Sequence, residues 1–382
     1  MVKPTITKLS SFVVKNKNGE LYSIEDKLLG CDIKRAFYIT NFSDNISLNN
    51  RGNHSHKDSK QFLINIRGIV DIKIINIDSL DEVNFTLDSP DKCLFLPPRH
   101  HIFMNNYSTD SIMLVLCDKN YEEDDVTDYY VPENLDGFRE VSKFLGVTTK
   151  SIIDKYNHIY LKTDGLMKFK ALSDLEFKIF FDNNQPDREK LVDFYSNTNN
   201  LLLELVEYHS TNFRRNLTQY VVNFSNNNQL SKVLDFGCGI GEDGFSLLKE
   251  KKEVYFCDIS SRTFEFIKWR VDKKSYKSSF IALTVDNEYS FFKKKKFFDL
   301  ILCFEVLMHI DNPLKTIKYL YNLLNQNGFL FVTYRFNGNY SLALRKNMKL
   351  EQSIENDMID IGFSLYEKVL IWPNKFLFIY KK

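Results

Sequence analysis

The chain has 382 residues, 43% hydrophobic and 26% charged, and its 51 Lys and Arg against 50 Asp and Glu leave a formal net charge of +1. That length exceeds what one hydrophobic core ordinarily serves and predicts two or three domains, and the composition excludes collagen-like and disordered chains. The balanced charge and the short run Lys293–Lys296 exclude a nucleic-acid tract, and no apolar stretch reaches the roughly 18 residues of a membrane span.

The opening MVKPTITKLSSFVV is broken by Pro and polar residues and is not read as a signal peptide. Six cysteines (Cys31, Cys93, Cys117, Cys238, Cys257 and Cys303) form no CxxC pair and mostly sit in apolar runs. They predict buried thiols in a reducing, cytoplasmic setting.

From about 36 to 121 the chain reads as short strands: AFYITNF, KQFLINIRGIVDIKIIN, EVNFTLD, KCLFLPP and SIMLVLC, divided by Gly, Pro, Asn and Asp clusters. This is an all-β jelly-roll or barrel pattern, with the longest run bent or split at Gly68. Arg51-Gly52-Asn53-His54-Ser55-His56 leads into the strand start at Gln61. Histidines two apart on a strand point to one face, so His54 and His56 converge inside a barrel. Two chemistries compete for them. One is a metal site completed by His100 or His101, with Gln61 where a carboxylate ligand would stand; the other is metal-free proton transfer by a histidine base.

Across about 10–130, the order AFYI, RGNHSH with the later Gln, a strand ending in PP, and LVLCDKNYEEDDVTDY resembles the cupin nucleotide-sugar 3,4-ketoisomerases of the WxcM and FdtA type. The resemblance implies that a dTDP-4-keto-6-deoxyhexose loses a proton at carbon 3 and regains one at carbon 4, without metal or cofactor. It implies His54 or His56 as base, Tyr38 as proton shuttle, Arg51 facing the sugar or its diphosphate, and Gln61 and His101 as substrate-binding residues. Core packing for Tyr38 and a surface charge for Arg51 are the plainer readings. Two departures stand out: His101 lies where relatives tend to carry an aromatic, and three extra residues separate Tyr38 from the histidines. A homodimer through the cupin, with exchanged N-terminal strands, is the implied assembly.

Residues 137–215 carry helix-like segments such as FREVSKFLGV and LLLELVEYHSTNF, with breakers at Asp164-Gly165 and 183–186, and no functional motif. From 230 onward strands and helices alternate, which predicts a parallel, doubly wound, Rossmann-like α/β domain. In a helix over 312–326, Leu314, Ile317, Leu320, Tyr321 and Leu324 make one apolar stripe, with Gly328 as its stop signal.

Asp235-Phe236-Gly237-Cys238-Gly239-Ile240-Gly241 places three glycines where a buried strand turns into a helix, so a ligand can approach the backbone. Asp258 ends the next strand, 23 residues after Asp235, and suits ribose hydroxyls, although a helix cap is the plainer reading. DFGCGIG, that acidic strand end, VDN after the third strand and FDLILCFEVLMHI together resemble class I methyltransferases over about 215–382. A nicotinamide dehydrogenase would show GxGxxG without these flanks. The resemblance implies S-adenosyl-L-methionine, with Asp235, Gly237, Gly239 and Gly241 along its methionine portion, Asp258 on the ribose, Asp286 near the adenine, and Glu305 with Val306 closing the pocket floor. His309 stands where this family often has a histidine, with a structural helix-start role as the plainer reading and a general base as the alternative, and the residues binding the methyl acceptor are not legible. The final segment supplies two strands at the edge of the sheet.

The expected layout is a cupin over 1–135, a mainly helical connector over 136–214 and a methyltransferase over 215–382. Jointly the halves suggest a bifunctional enzyme of deoxysugar and polysaccharide biosynthesis, with a separate aminotransferase acting between its steps. It would have no nucleic-acid or membrane partner. A metal-dependent cupin oxygenase, a 3,5-epimerase and a non-catalytic sugar-binding cupin are the competing readings of the first half.

Overall fold

Alternation of apolar and polar residues and continuous apolar runs demand different sheets, and the chain contains both kinds. The computed structural model describes all residues except 1, 10–12, 17–18, 41–50, 128, 158–172, 174, 178, 180–187, 285–286, 288, 311, 334–353 and 373–374. The chain divides into two units, residues 1–133 with 149–159 and residues 134–148 with 160–382. Of the segment expected as a connector, residues 136–148 and 160–214 fall in the second unit and 149–159 in the first. Its first helix, Asp136–Leu145, packs in the second unit, where Glu140 pairs with Arg270 and Phe144 meets Phe266.

The first unit contains β1 (Thr5–Lys8), β2 (Val13–Asn16), β3 (Gly19–Tyr22), β4 (Arg35–Ile39), β5 (Arg51–His56), β6 (Gln61–Arg67), β7 (Val70–Asn76), β8 (Glu82–Leu87), β9 (Lys92–Leu96), β10 (His100–Asn105), β11 (Ile112–Cys117) and β12 (Val126–Thr127). Strands β1-β9-β6-β11-β4 form one sheet and β12-β5-β10-β7-β8 a second, with β2 and β3 as a separate hairpin. The split at Gly68 falls between β6 and β7, as the residue pattern predicts. One cluster joins the two large sheets: Leu63, Ile72, Ile74, Leu94, Ile102, Met104, Val115 and Cys117 are all buried in it. These side chains define the inner face of the sandwich, and every other residue along each strand points away from it.

The second unit contains β13 (Lys232–Phe236), β14 (Glu253–Ile259), β15 (Ser279–Leu283), β16 (Phe298–Phe304), β17 (Leu324–Thr333), β18 (Ser364–Trp372) and β19 (Lys375–Lys381). They form one sheet in the order β15-β14-β13-β16-β17-β19-β18, parallel except for β19, which runs antiparallel to both neighbours. β13 is buried along almost its whole length, as a strand covered on both faces must be. Helices Glu242–Lys249, Arg262–Lys273 and Pro313–Leu323 connect successive strands. Asn312 caps the last of these by accepting from Lys315 N at 3.0 Å, with Pro313 at its first position. Gly328 does not end this helix: Leu324 already takes extended backbone angles and opens β17, so Gly328 lies inside a strand.

All six cysteines are free thiols, five of them buried. Among the described residues, no helix is long and apolar enough to cross a membrane.

Candidate active sites

In the first unit, β5 carries both histidines toward the interior, because His54 stands opposite Ile102 and Ile102 belongs to the core. Their rings lie edge to face, with centroids 5.2 Å apart. The partners of the two rings differ. His56 Nδ1 donates to Asp125 Oδ2 at 2.8 Å, and its Nε2 accepts from Gln61 Nε2 at 2.9 Å, so both ring nitrogens are committed. His54 Nδ1 donates to the Gly52 carbonyl at 2.8 Å, which leaves Nε2 as a lone-pair acceptor without a partner among the described residues.

Asp125 is itself anchored, accepting from Ser59 Oγ at 2.5 Å and from Asp58 N at 2.8 Å. Burial would raise its pKa, but these donors and His56 hold it at about 2. Burial lowers the pKa of His56, helped by the charges of His54 and Arg35, and this outweighs the hydrogen bond to Asp125. The result is a neutral His56 fixed in the Nδ1–H tautomer. In Asp125→Asn the amide keeps the shape but loses the acceptor that fixes this tautomer. The expected result is a loss of about 1–3 kcal/mol in the stability of this buried network, checked by urea unfolding of the full chain.

Strand parity sets two of the expected site residues apart from the histidine pair. Tyr38 pairs with Leu114 on the outer face of β4 and is 71% exposed, so it does not join the histidines. Its neighbours Arg35 and Phe37 point inward instead. Arg35 stands opposite Cys117, donates to its Sγ at 3.5 Å and stacks over the rings of Phe37 and Tyr121. His101 is buried on the face of β10 opposite to Ile102, where its Nε2 donates to Asn53 Oδ1 at 3.1 Å, away from the histidine pair. His100 is committed to the Pro98 carbonyl and to Asn76. The three-histidine arrangement is thus not formed, and among the described residues no group of three His, Cys, Asp or Glu has metal-binding geometry. Arg51 lies at the start of β5, and Gln61 takes its place beside His56.

In the second unit, the loop after β13 sits at the switch point of the sheet, where β14 and β15 lie to one side of β13 and β16 and β17 to the other. Gly237, Gly239 and Gly241 have φ of 69°, 54° and 67°, a left-handed backbone that favours glycine. A Cβ on Gly237 would come within 2.2 Å of Val306 Cγ2. Asp258, at the end of β14, accepts from Gly239 N at 2.6 Å and Ile259 N at 2.7 Å, which leaves carboxylate lone pairs for hydroxyl donors. The adjoining pocket is lined by Asp235, Gly237, Gly239, Glu305, Tyr208 and Lys375, among others. A glycine cradle beside an acidic strand tip fits a nucleoside cofactor. Asp286 lies outside the described residues. His309 is exposed and does not line the pocket.

Burial raises Asp258 to about 6, against the pull of its two backbone donors, and burial together with the Asp243 charge raises Asp235 well above the usual carboxylate range. A protonated Asp258 is a poor acceptor for ribose hydroxyls. Cofactor affinity is therefore expected to rise with pH through about 6 and to flatten above it, and Asp258→Asn is expected to cost roughly tenfold or more and to weaken that dependence. Calorimetric titration with S-adenosylhomocysteine between pH 5 and 8 checks both.

Residues 3–134 match the FdtA family, described as WxcM-like, C-terminal, and residues 234–330 match the family described as Methyltransferase domain. The TDP-4-oxo-6-deoxy-alpha-D-glucose-3,4-oxoisomerase of Aneurinibacillus thermoaerophilus is 32% identical over 116 residues, which are 30% of this chain and 80% of that protein. The crystal structure of QdtA, a sugar 3,4-ketoisomerase from Thermoanaerobacterium thermosaccharolyticum in complex with TDP, is 31% identical. It covers 32% of this chain and 86% of that one, with a TM-score of 0.30. A ubiquinone biosynthesis O-methyltransferase of Vibrio vulnificus is 28% identical over 100 residues, 26% of this chain and 42% of that protein, so the chain spans less than half of that relative's length.

The first unit is an isomerase-type cupin and the second a methyltransferase domain. Through residues 3–134 the chain belongs to the FdtA, or WxcM-like, family.

Proposed function

We propose that the chain is a bifunctional nucleotide-sugar enzyme. Its first unit isomerises a dTDP-4-keto-6-deoxyhexose to the 3-keto sugar, and its second methylates a deoxysugar or aminodeoxysugar with S-adenosyl-L-methionine. The observation that carries the reading is the asymmetry of the histidine pair: one ring is fixed on both nitrogens, and its neighbour keeps an open Nε2 on the inner face of the cupin.

His54 Nε2 takes the proton from carbon 3, and its Nδ1–H, held by the Gly52 carbonyl, keeps the ring aimed while it becomes imidazolium. The enediolate gathers negative charge on oxygen. The inward guanidinium of Arg35 is the nearby charge that answers it electrostatically, while His56, held by Asp125 and Gln61, packs edge to face against the ring of the base. The hydroxyl proton passes from the carbon-3 oxygen to the carbon-4 oxygen, and return of a proton at carbon 4 from the imidazolium leaves the carbonyl at carbon 3 and completes the shift. In the second unit the cofactor supplies an electrophilic methyl group. The chain's own part is to hold the ribose at Asp258, admit the methionine portion over Gly237 and Gly239, and exclude water from the pocket beside Asp235.

Chromatography of dTDP-4-keto-6-deoxyglucose incubated with the full chain, a 3-aminotransferase and methyl-labelled S-adenosylmethionine tests the proposal. The expected result is label in a dTDP-sugar, appearing only when the 3-keto sugar forms. Binding of the cofactor without label in any dTDP-sugar would reject the sugar as methyl acceptor.

A further inference from the structure

The carboxyl edge of the second sheet is equipped beyond the needs of a cofactor. Asp258 lies in β14, Gly237 follows β13, Glu305 follows β16, Thr333 ends β17 and Lys375 opens the antiparallel β19, in the order in which the strands lie side by side. Three strand spacings of about 4.8 Å separate β19 from β13, about 14 Å in all, on the side away from Asp258. A cofactor with its ribose at Asp258 and its amino-acid end over the glycines runs from β14 toward β16. The group that receives the methyl lies beyond it, over β16, β17 and β19.

Glu305, Thr333, Lys375 and Tyr208 meet there. Thr333 Oγ1 donates to Glu305 Oε1 at 2.7 Å, and Lys375 Nζ reaches the same oxygen at 3.1 Å. Lys375 also donates to the Tyr208 hydroxyl oxygen at 3.2 Å. Both donors to Glu305 therefore fall on Oε1. Glu305 Oε2 and the hydroxyl hydrogen of Tyr208 have no partner among the described residues, and both side chains line the pocket that holds Asp235 and Gly237. Glu305 is held at φ 57°, unusual for a residue with a side chain and a common mark of functional positions.

One open acceptor and one open donor suit a hydroxyl group: its O–H donates to Glu305, one lone pair accepts from Tyr208, and the other is free for the methyl carbon. An ammonium suits the cluster poorly. Burial opposes the charge on Lys375, yet Glu305 and Tyr208 raise its pKa and keep it a cation. The Glu305 charge is thereby offset, and a second cation would meet Lys375.

We infer that Glu305, Tyr208 and Lys375 form the methyl-acceptor subsite, that Glu305 and Tyr208 grip a sugar hydroxyl while Lys375 positions both, and that the transfer is O-methylation. This rests on the reading of the second unit as an S-adenosylmethionine-dependent sugar methyltransferase. The hydroxyl oxygen bonds to the methyl carbon as the carbon–sulfur bond breaks. The electron pair of that bond stays on sulfur, turning the sulfonium into a thioether, and the hydroxyl proton passes to Glu305 Oε2 and on to solvent.

The test uses the full chain, Glu305→Gln, Tyr208→Phe and Lys375→Met, with dTDP-6-deoxyglucose and dTDP-3-amino-3,6-dideoxyglucose as probes. Carbon-13 NMR locates the methyl group, kinetics give kcat and KM for each probe, and calorimetry gives the Kd of S-adenosylhomocysteine. Methyl on oxygen is expected, with kcat/KM lowered about ten- to hundredfold in the two near-isosteric variants and Lys375→Met, and the cofactor Kd held within about threefold. A methyl on nitrogen, no transfer to either probe, unchanged acceptor kinetics in the variants, or a tenfold loss of cofactor affinity in Glu305→Gln would each overturn the inference. Wild-type chain that does not bind S-adenosylhomocysteine would instead overturn the reading beneath it.

Discussion

His54→Asn is expected to lower carbon-3 exchange and ketoisomerisation by about a thousandfold, within the 10²- to 10⁴-fold that a positioned base contributes. Asn keeps a polar group of similar reach to the Gly52 carbonyl, but it has no nitrogen lone pair to take the proton. The affinity for TDP should stay within about threefold, because the proposed role of His54 is at the reacting carbons and not at the nucleotide. His56→Asn should cost less in kcat, since it removes a ring that packs against the base and leaves the base itself. Its stability cost should be the greater of the two, because Asp125 loses a partner in a buried network. Rate measurements on both variants, with thermal unfolding alongside, check the order.

Arg214→Met is expected to destabilise the second unit by about 3–5 kcal/mol, the usual cost of stripping one partner from a buried ion pair. Arg214 and Asp243 are 3% and 4% exposed; Nη1 reaches Oδ1 at 2.9 Å, Nη2 makes a second bond to Oδ2, and Thr218 Oγ1 donates to Oδ1 at 2.6 Å. Without Arg214, a carboxylate remains buried beside Asp235. Arg214→Met combined with Asp243→Leu should recover most of the loss, because no charge is then left unpaired.

The pH dependence separates these outcomes. Burial raises Asp243, but in the native protein Arg214 and Thr218 outweigh it and depress the pKa below 3.8, so its stabilising contribution is present above the carboxylate range and lost as pH falls through the native pKa. In Arg214→Met, burial acts with less opposition and the folded pKa rises above the unfolded value. Its stability is then greatest at acid pH and falls as pH rises, so the deficit should be smaller at pH 4.5 than at pH 7. Both tryptophans, Trp269 and Trp372, belong to the second unit, so tryptophan fluorescence in urea follows that unit's unfolding.

The glycine loop and the HSH pair were legible because each is a local signal: alternate glycines at a strand end, and a two-residue spacing on a strand. Parity was the weak point. AFYI contains one aromatic on each face of β4, and only the pairing of Phe37 with Val115 and of Tyr38 with Leu114 shows which enters the core. The same one-residue ambiguity in PPRHHIF misplaced His101, since Ile102 holds the inward position. Asp125 was hidden in the acidic run EEDD, where nothing local separates a solvated carboxylate from one that reaches back across 69 positions to His56. Arg214, Asp243 and Lys375 belong to a class that pattern cannot reach. Their partners come from distant helices and from β19, which is inserted next to β17 out of chain order.

Proton transfer by the first unit is read out by proton NMR of the full chain with dTDP-4-keto-6-deoxyglucose in deuterated water. The expected result is loss of the carbon-3 proton signal, deuterium at carbon 4 and growth of the 3-keto sugar, all slowed about a thousandfold in His54→Asn. A carbon-3 proton that persists unchanged with the wild-type chain, or an exchange rate that His54→Asn leaves intact, would contradict it.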